Sequence, residues 1–390
     1  MTGMDVEERR ARLAVRHRLA PSTRATSAVE VARDLVGLHA SDPASMFLGA
    51  SARMHVADTR AVEQALYDDR ALVRMLGMRR TMFVEPLDLA PVVHAACTRA
   101  LAAQQRTRLV GLLEGAGITT TGDRWLDGVA AATLRAIAAR GEATAVELGR
   151  DVPELREQIP YGEGKKWAGT QGVSTRVLFL LATEGRVVRS RPLGAWTSSQ
   201  YRWALMEAYV SGIDDLPTGL ARLELARRWL TAFAPATPAD LKWWTGWTGG
   251  QVKQVLAEVG ATEVDLAGAT GAVLPDDLAP VTRPEPWLAL LPALDSTVMG
   301  WTQRDWFLGA HRAALFDRSG NAGPTVWWNG HIVGGWAQRA DGEVAFRLLE
   351  DVGGDVTAAV AAAAGGLGAW LGDVRVTPRF RTPLERELSS

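Results

Sequence analysis

Arg33-Asp34-Leu35-Val36-Gly37-Leu38-His39-Ala40-Ser41-Asp42-Pro43 sets an apolar run against a cluster of small polar groups and then stops it with a proline. Leu35, Val36 and Leu38 continue an apolar face that begins at Val29 and Val31, so the pattern predicts a helix from about 28 to 39. His39, Ser41 and Asp42 gather where the backbone cannot go on as helix, because the residue before a proline is pushed out of the helical region. Three hydrogen-bonding side chains at a helix end make a candidate site. The same residues also fit a plain structural device, with Asp42 as the cap and Pro43 as the first residue of a following helix.

Working outward, the chain is long enough at 390 residues for two to four domains of roughly 100 to 200 residues each. A hydrophobic content of 47% and a mean hydropathy of -0.02 place it among packed globular chains. The formal charge is -1, so any surface for nucleic acid must come from local segregation of arginine. Cys97 is the single cysteine, which excludes an internal disulfide, and its apolar neighbours suggest a core thiol. The arginine-bearing N-terminus lacks the apolar stretch of a signal peptide, and no run approaches the ~20 apolar residues of a membrane span. A cytoplasmic, nucleoid-associated location is the expectation.

One grammar recurs three times. Helices before residue 70 lead to two short strands around Gly77, from Ala71 to Pro86, with Arg79-Arg80 at the tip of the hairpin, where they fit a DNA-binding wing that meets phosphate or an exposed, solvated turn. Trp125 to Ala139, the Gly141-Glu142-Ala143-Thr144 turn, Ala145 to Leu148 and Ser174 to Glu184 repeat helix, turn, short helix and helix. The arginine-loaded segment Gly185 to Gly194 follows. Lys165, Lys166, Arg176, Arg186, Arg189 and Arg191 form the most concentrated basic region of the chain, which suits a polyanion, although a solvated wing has the same signature. The third repetition is Leu220 to Phe233, the Ala234 to Asp240 turn, Leu241 to Trp244 and Val252 to Val259, with strand-like residues at 263–266 and 272–274.

Beyond the proline-rich 280–286 segment the composition turns to tryptophan-rich β. Leu288 to Leu294 and Val344 to Leu348 read as strands, Val356 to Leu371 as an alanine-rich helix, and Val374-Arg375-Val376 as a last strand. Asn329-Gly330 between Thr325 and Trp336 is the strongest short-range hairpin signal. The expected fold is α+β: three tandem winged-helix (helix-turn-helix) units at 1–118, 119–212 and 213–279, followed by a β-rich, barrel-like domain at 280–390.

Leu35 to Pro43, the Leu76 to Pro86 hairpin, Ala234 to Leu241, Leu290 to Asp295, Pro324-Thr325-Val326 and Gly330 to Trp336 carry a resemblance over nearly the full length. The chain resembles the bacterial winged-helix DNA-binding family of alkylpurine DNA glycosylases, of the azinomycin-resistance and crosslink-repair type. In that family the catalytic pair is a Gln-hydrophobic-Gln or Gln-hydrophobic-Asp tripeptide, at the position held here by His39-Ala40-Ser41. The resemblance implies double-stranded DNA as partner, including DNA with bulky alkyl adducts or crosslinks. It implies His39, Ser41 and Asp42 as catalytic candidates, with Asp42 orienting the imidazole or supplying negative charge, and monofunctional hydrolysis of N3- or N7-alkylated purines. Asp295, Asn329 and His331 are the site candidates of the C-terminal part. A non-catalytic DNA-binding or damage-sensing protein is the alternative.

Other chemistries lack their residues. The histidines at 17, 39, 55, 94, 311 and 331 have no metal-ligand spacing, Gly162 to Lys166 lacks the pattern of a phosphate loop, and no Gly-x-Ser-x-Gly elbow occurs. No metal and no cofactor are expected.

Overall fold

The computed structural model describes residues 2–162, 164 and 168–390. The chain is a mixed α+β protein with several separate sheets. The first hairpin, Leu72–Leu76 with Met82–Pro86, and the arginine-rich hairpin, Val187–Pro192 with Tyr201–Leu205, do not stand apart as two wings. They join edge to edge through Arg74 and Arg189, and Leu38–His39 and Glu142–Ala143 complete one antiparallel sheet of six strands. The join leaves no free edge between the two hairpins, and it lines up arginines from both on one surface.

The expected helices are largely present. Ala145–Asp151, Pro238–Thr245 and Gly249–Glu258 each begin at a capping box, on Thr144 with Glu147, Thr237 with Asp240, and Thr248 with Gln251. The helix expected from 28 to 39 is a correction: it ends at Asp34. Val36 and Gly37 take positive φ angles of 50° and 96°, which no helix can hold, and Leu38–His39 is a strand. A hairpin at Gln158–Tyr161 with Gly169–Gly172 went unforeseen; its strands are only four residues long and lack apolar alternation.

Residues 109 to 205 enclose a core of their own, built on Leu113, Leu126, Ile137, Val177 and Leu181. The largest core instead mixes the N-terminal part, the third group of helices and the C-terminal part, with Leu13, Trp229, Phe233, Trp301 and Trp327 in one cluster. The C-terminal sheet has four antiparallel strands, Leu288–Leu291, Thr325–Trp328, His331–Gln338 and Val344–Leu348. It is open, which corrects the barrel expectation; four strands cannot close around a filled interior. The helix Gly354–Leu371 covers one face through Val360, Ala364 and Leu371. That helix is long and apolar enough by composition to cross a membrane. Residues 374–376, expected as a strand, have no ladder partner because Gln338 takes their backbone groups by its side chain.

Candidate nucleic-acid interface and active site

The segment from Gly37 to Asp42 is held from three sides. A Cβ at Gly37 would collide with the Glu85 carboxyl, so glycine is required both for the φ and for the space. His39 pairs with Phe83 across the strand. Its N–H donates to the Ser296 hydroxyl at 3.0 Å, and that hydroxyl donates to the Gly37 carbonyl at 3.1 Å. Arg74, buried in the sheet, donates to the Ala40 carbonyl at 2.6 Å, and the Ala40 N–H donates to Met82 O at 2.8 Å.

His39 is 5% exposed, with its ring edge-on to Phe83 at 5.1 Å, and its Nδ1 is buried without a hydrogen-bond partner. Burial, and secondarily the Arg79 guanidinium, pushes its pKa down to about 3. The imidazole is therefore neutral at physiological pH and keeps one acceptor nitrogen. Ser41 accepts from the Met82 N–H at 3.3 Å. Asp42 is already engaged: one carboxylate oxygen caps the helix Pro43–Ser51 through Ala44 N at 3.1 Å and the other accepts from Arg379 N at 2.8 Å. Burial raises its pKa against the pull of those N–H groups. The imidazole-orienting contact expected of Asp42 is thus absent among the described residues, because the capping geometry aims the carboxylate along its own helix.

Ser41 opens onto a cleft of about 1030 Å³ lined by residues of both hairpins and of the helices Ala145–Asp151 and Val173–Thr183. Arg80, Arg150, Arg176, Arg189 and Arg379 line it, interleaved with Phe179, Tyr201, Trp203 and Phe380. The Arg189 guanidinium lies 4.1 Å from the Tyr201 ring centre and 5.7 Å from that of Trp203. Burial lowers its pKa to about 10, which leaves it charged at neutral pH. None of these five arginines forms an ion pair among the described residues. A second cleft of about 700 Å³ also holds five arginines, but there four are paired, Arg16 with Asp277, Arg18 with Asp34, Arg33 with Asp88 and Arg228 with Glu224, which leaves Arg227. Unpaired guanidiniums beside aromatic faces are what a single surface needs to meet phosphates and bases.

The sequence-predicted residues divide accordingly. Arg80, Arg176 and Arg189 reach the cleft with Ser41. Arg79 turns the other way and stacks on Trp243 at 3.8 Å, its φ of 52° sending it off the exposed tip. Arg191 is bound to Asp68 at 2.7 Å, and Arg186 is exposed outside the cleft lining. Lys165 and Lys166 lie outside the described residues.

The three C-terminal candidates have structural partners. Asp295 is 3% exposed and takes a bidentate pair from Arg53 at 2.9 and 2.6 Å. Asn329 sits in the hairpin turn at φ 46° and accepts from Trp287 N. His331 contacts Glu350 at 2.9 Å. Arg74, Arg150, Ser296 and Arg379 were missed. The alternation of Tyr201, Arg202 and Trp203 opposite the arginine strand was the sequence signal for the cleft's aromatic rings, while nothing local marks a serine 257 positions away from His39.

The DNA glycosylase AlkZ-like family model matches residues 32–370. The structure of Streptomyces sahachiroi DNA glycosylase AlkZ superposes with a TM-score of 0.72 at 19% identity, covering 96% of this chain and 100% of that one. No curated protein sequence matches. With the family model spanning most of the chain, including the His39 segment and the cleft residues from Ser41 to Trp203, the chain belongs to the AlkZ-like DNA glycosylase family and has a DNA glycosylase role in DNA repair.

Proposed function

We propose that the protein is a monofunctional glycosylase that hydrolyses the C1′–N bond of N3- or N7-alkylated purines in duplex DNA, with lesions that include bulky adducts or crosslinks. The observation that carries this reading is the cleft of unpaired arginines and aromatic rings onto which Ser41 opens, two residues from the buried, neutral His39, whose Nδ1 has no partner. Alkylation places positive charge on the base and makes it a good leaving group, so the bond breaks toward an oxocarbenium-like sugar. The remaining demand is a water held against C1′ and a base to take its proton. His39 supplies that base, and Ser41 adds a hydrogen bond from the rim of the cleft. Asp42 fixes the segment by capping the next helix and does not act on the imidazole.

The four parts at 1–118, 119–212, 213–279 and 280–390 are read as three winged-helix units and a C-terminal β part that together grip the duplex. The fused hairpins supply the cleft arginines, and a large adduct is accommodated along the open cleft, so an activated base need not enter a deep pocket.

The test is base release from duplex containing N7-methylguanine or N3-methyladenine, by the wild type and by His39→Ala. Release by the wild type, its loss in the variant and an intact abasic strand as product are expected. Tight, salt-sensitive duplex binding without base release would mark a damage-sensing protein and overturn the catalytic assignment.

A further inference from the structure

On the far side of the first hairpin from Arg80, three arginines alternate with two rings. Arg79 stacks on Trp243 at 3.8 Å; Arg304 lies 4.9 Å from the same ring and 5.0 Å from Phe316; Arg312 lies 5.2 Å from Phe316. The sequence places these groups on three separate parts of the chain, so only the packing of the shared core brings them together.

Arg304 is the informative member. It is 3% exposed, its side chain forms no hydrogen bond or ion pair among the described residues, and its Nε and Nη1 are buried without partners. A buried guanidinium with unmet donors is destabilising unless something satisfies it. The nearby carboxylate of Asp240 is spoken for: one oxygen accepts from Thr302 N and Gln303 N, the other from Thr237 N and its hydroxyl. Arg79 adds another buried Nε without a partner. Burial lowers Arg79 and Arg304 to about 10; Arg312 and Arg79 repel the charge on Arg304, and Asp240 and Asp305 offset part of that repulsion. Like charges packed this closely, with their donors unmet, fit an anion between them.

We propose that Arg79, Arg304 and Arg312 form a phosphate-oxyanion site, occupied by a backbone phosphodiester of DNA beside the nucleotide that faces His39. The ring faces of Trp243 and Phe316 hold the guanidinium planes apart; the exposed Arg312 and half-buried Arg79 meet the phosphate oxygens, and the buried Arg304 adds its charge from beneath the rings. Arg79 links the two places through packing: it stacks on Trp243, whose neighbour Trp244 meets Phe83 at 6.3 Å, and Phe83 packs edge-on against His39 at 5.1 Å. The site rests on the reading that His39 faces substrate DNA, and it adds a phosphate contact outside the lining of the arginine cleft.

The test uses the full chain and a short alkylated duplex, with affinity measured across salt concentration. Arg304→Met and Arg312→Ala are each expected to reduce the slope of log affinity against log salt by about 0.9, the value for one phosphate contact. Arg312 is exposed, so its variant reports on binding without disturbing the core. A single neutral methylphosphonate linkage should weaken the wild type at one position and leave Arg304→Met unaffected at that position. Unchanged slopes in both variants, with no linkage that separates them from the wild type, overturn the site. If inorganic phosphate at matched ionic strength raises the unfolding temperature of the wild type and not of Arg304→Met, while the DNA slopes stay equal, the occupant is free phosphate and the DNA assignment is overturned. Reduced slopes together with no base release by the wild type would instead overturn the glycosylase reading and keep the phosphate site.

Discussion

The Ser296 hydroxyl bridges the two peptides around Leu38, accepting from the His39 N–H at 3.0 Å and donating to the Gly37 carbonyl at 3.1 Å. One side chain from the C-terminal part therefore sets the backbone position of the candidate base. Ser296→Ala leaves a buried N–H and a buried carbonyl unsatisfied, which costs roughly 1–3 kcal/mol per group. The expected outcome is a lower denaturant midpoint together with a fall of about tenfold or more in kcat for base release and little change in KM. Ser296→Thr, which keeps the hydroxyl, should recover the rate. Loss of stability with an unchanged rate would show that the bridge serves the fold alone.

Gly37 and Glu85 form a second coupled pair. Glu85 is fully buried, neither carboxyl oxygen has a partner, and burial, helped by Asp88, raises its pKa well above 4.5. For a group raised in the folded state, the stability it contributes is complete below the unfolded value near 4.5 and is lost as pH rises through the folded value. Glu85→Gln removes that loss. Its stability relative to the wild type should be greater at pH 8 than at pH 4.5, as read from urea unfolding at the two pH values. Gly37→Ala meets both a positive φ and the Glu85 carboxyl, and a loss of about 2 kcal/mol or more is expected.

The acid side is governed by His39 and His17, both buried and both pushed down to about 3 from 6.5. Below pH 6.5 the unfolded chain binds the protons these rings refuse, so stability falls as pH drops from 6.5 toward 3, by at most about 1.4 kcal/mol per pH unit for each ring. His39→Gln should shallow that slope between pH 6 and pH 4 in an unfolding series. The same depression predicts that base release shows no limb near pH 6.5. A rate that drops by half at that pH would contradict a neutral His39.

Replacement of the cleft arginines should separate the two basic clefts. Arg189→Ala and Arg379→Ala are expected to weaken duplex binding and to lower the salt slope by about 0.9 each. Arg33→Ala, whose guanidinium is paired with Asp88, should leave the slope where it is. Equal effects at both clefts, measured by anisotropy titration, would remove the distinction between paired and unpaired arginines.

The sequence by itself determined most of the local structure. Asn329-Gly330, the three capping boxes, Gly77 between two short strands and Asp42-Pro43 before an apolar run each act through their nearest neighbours, so their outcomes hold whatever the rest of the chain does. The position of the His39 segment was legible in the same way, and so was the family it resembles. Tertiary structure alone decided what the polar side chains do. Asp42 became a cap tied to Arg379, Asp295 a buried partner of Arg53, Arg191 a partner of Asp68, and Arg79 a stacking group on Trp243. The junction of two hairpins at Arg74 and Arg189 turned separate basic runs into one cleft. Charge, hydrogen-bond and stacking partners are chosen by proximity in space, over separations of hundreds of residues, and a linear pattern holds no record of that proximity.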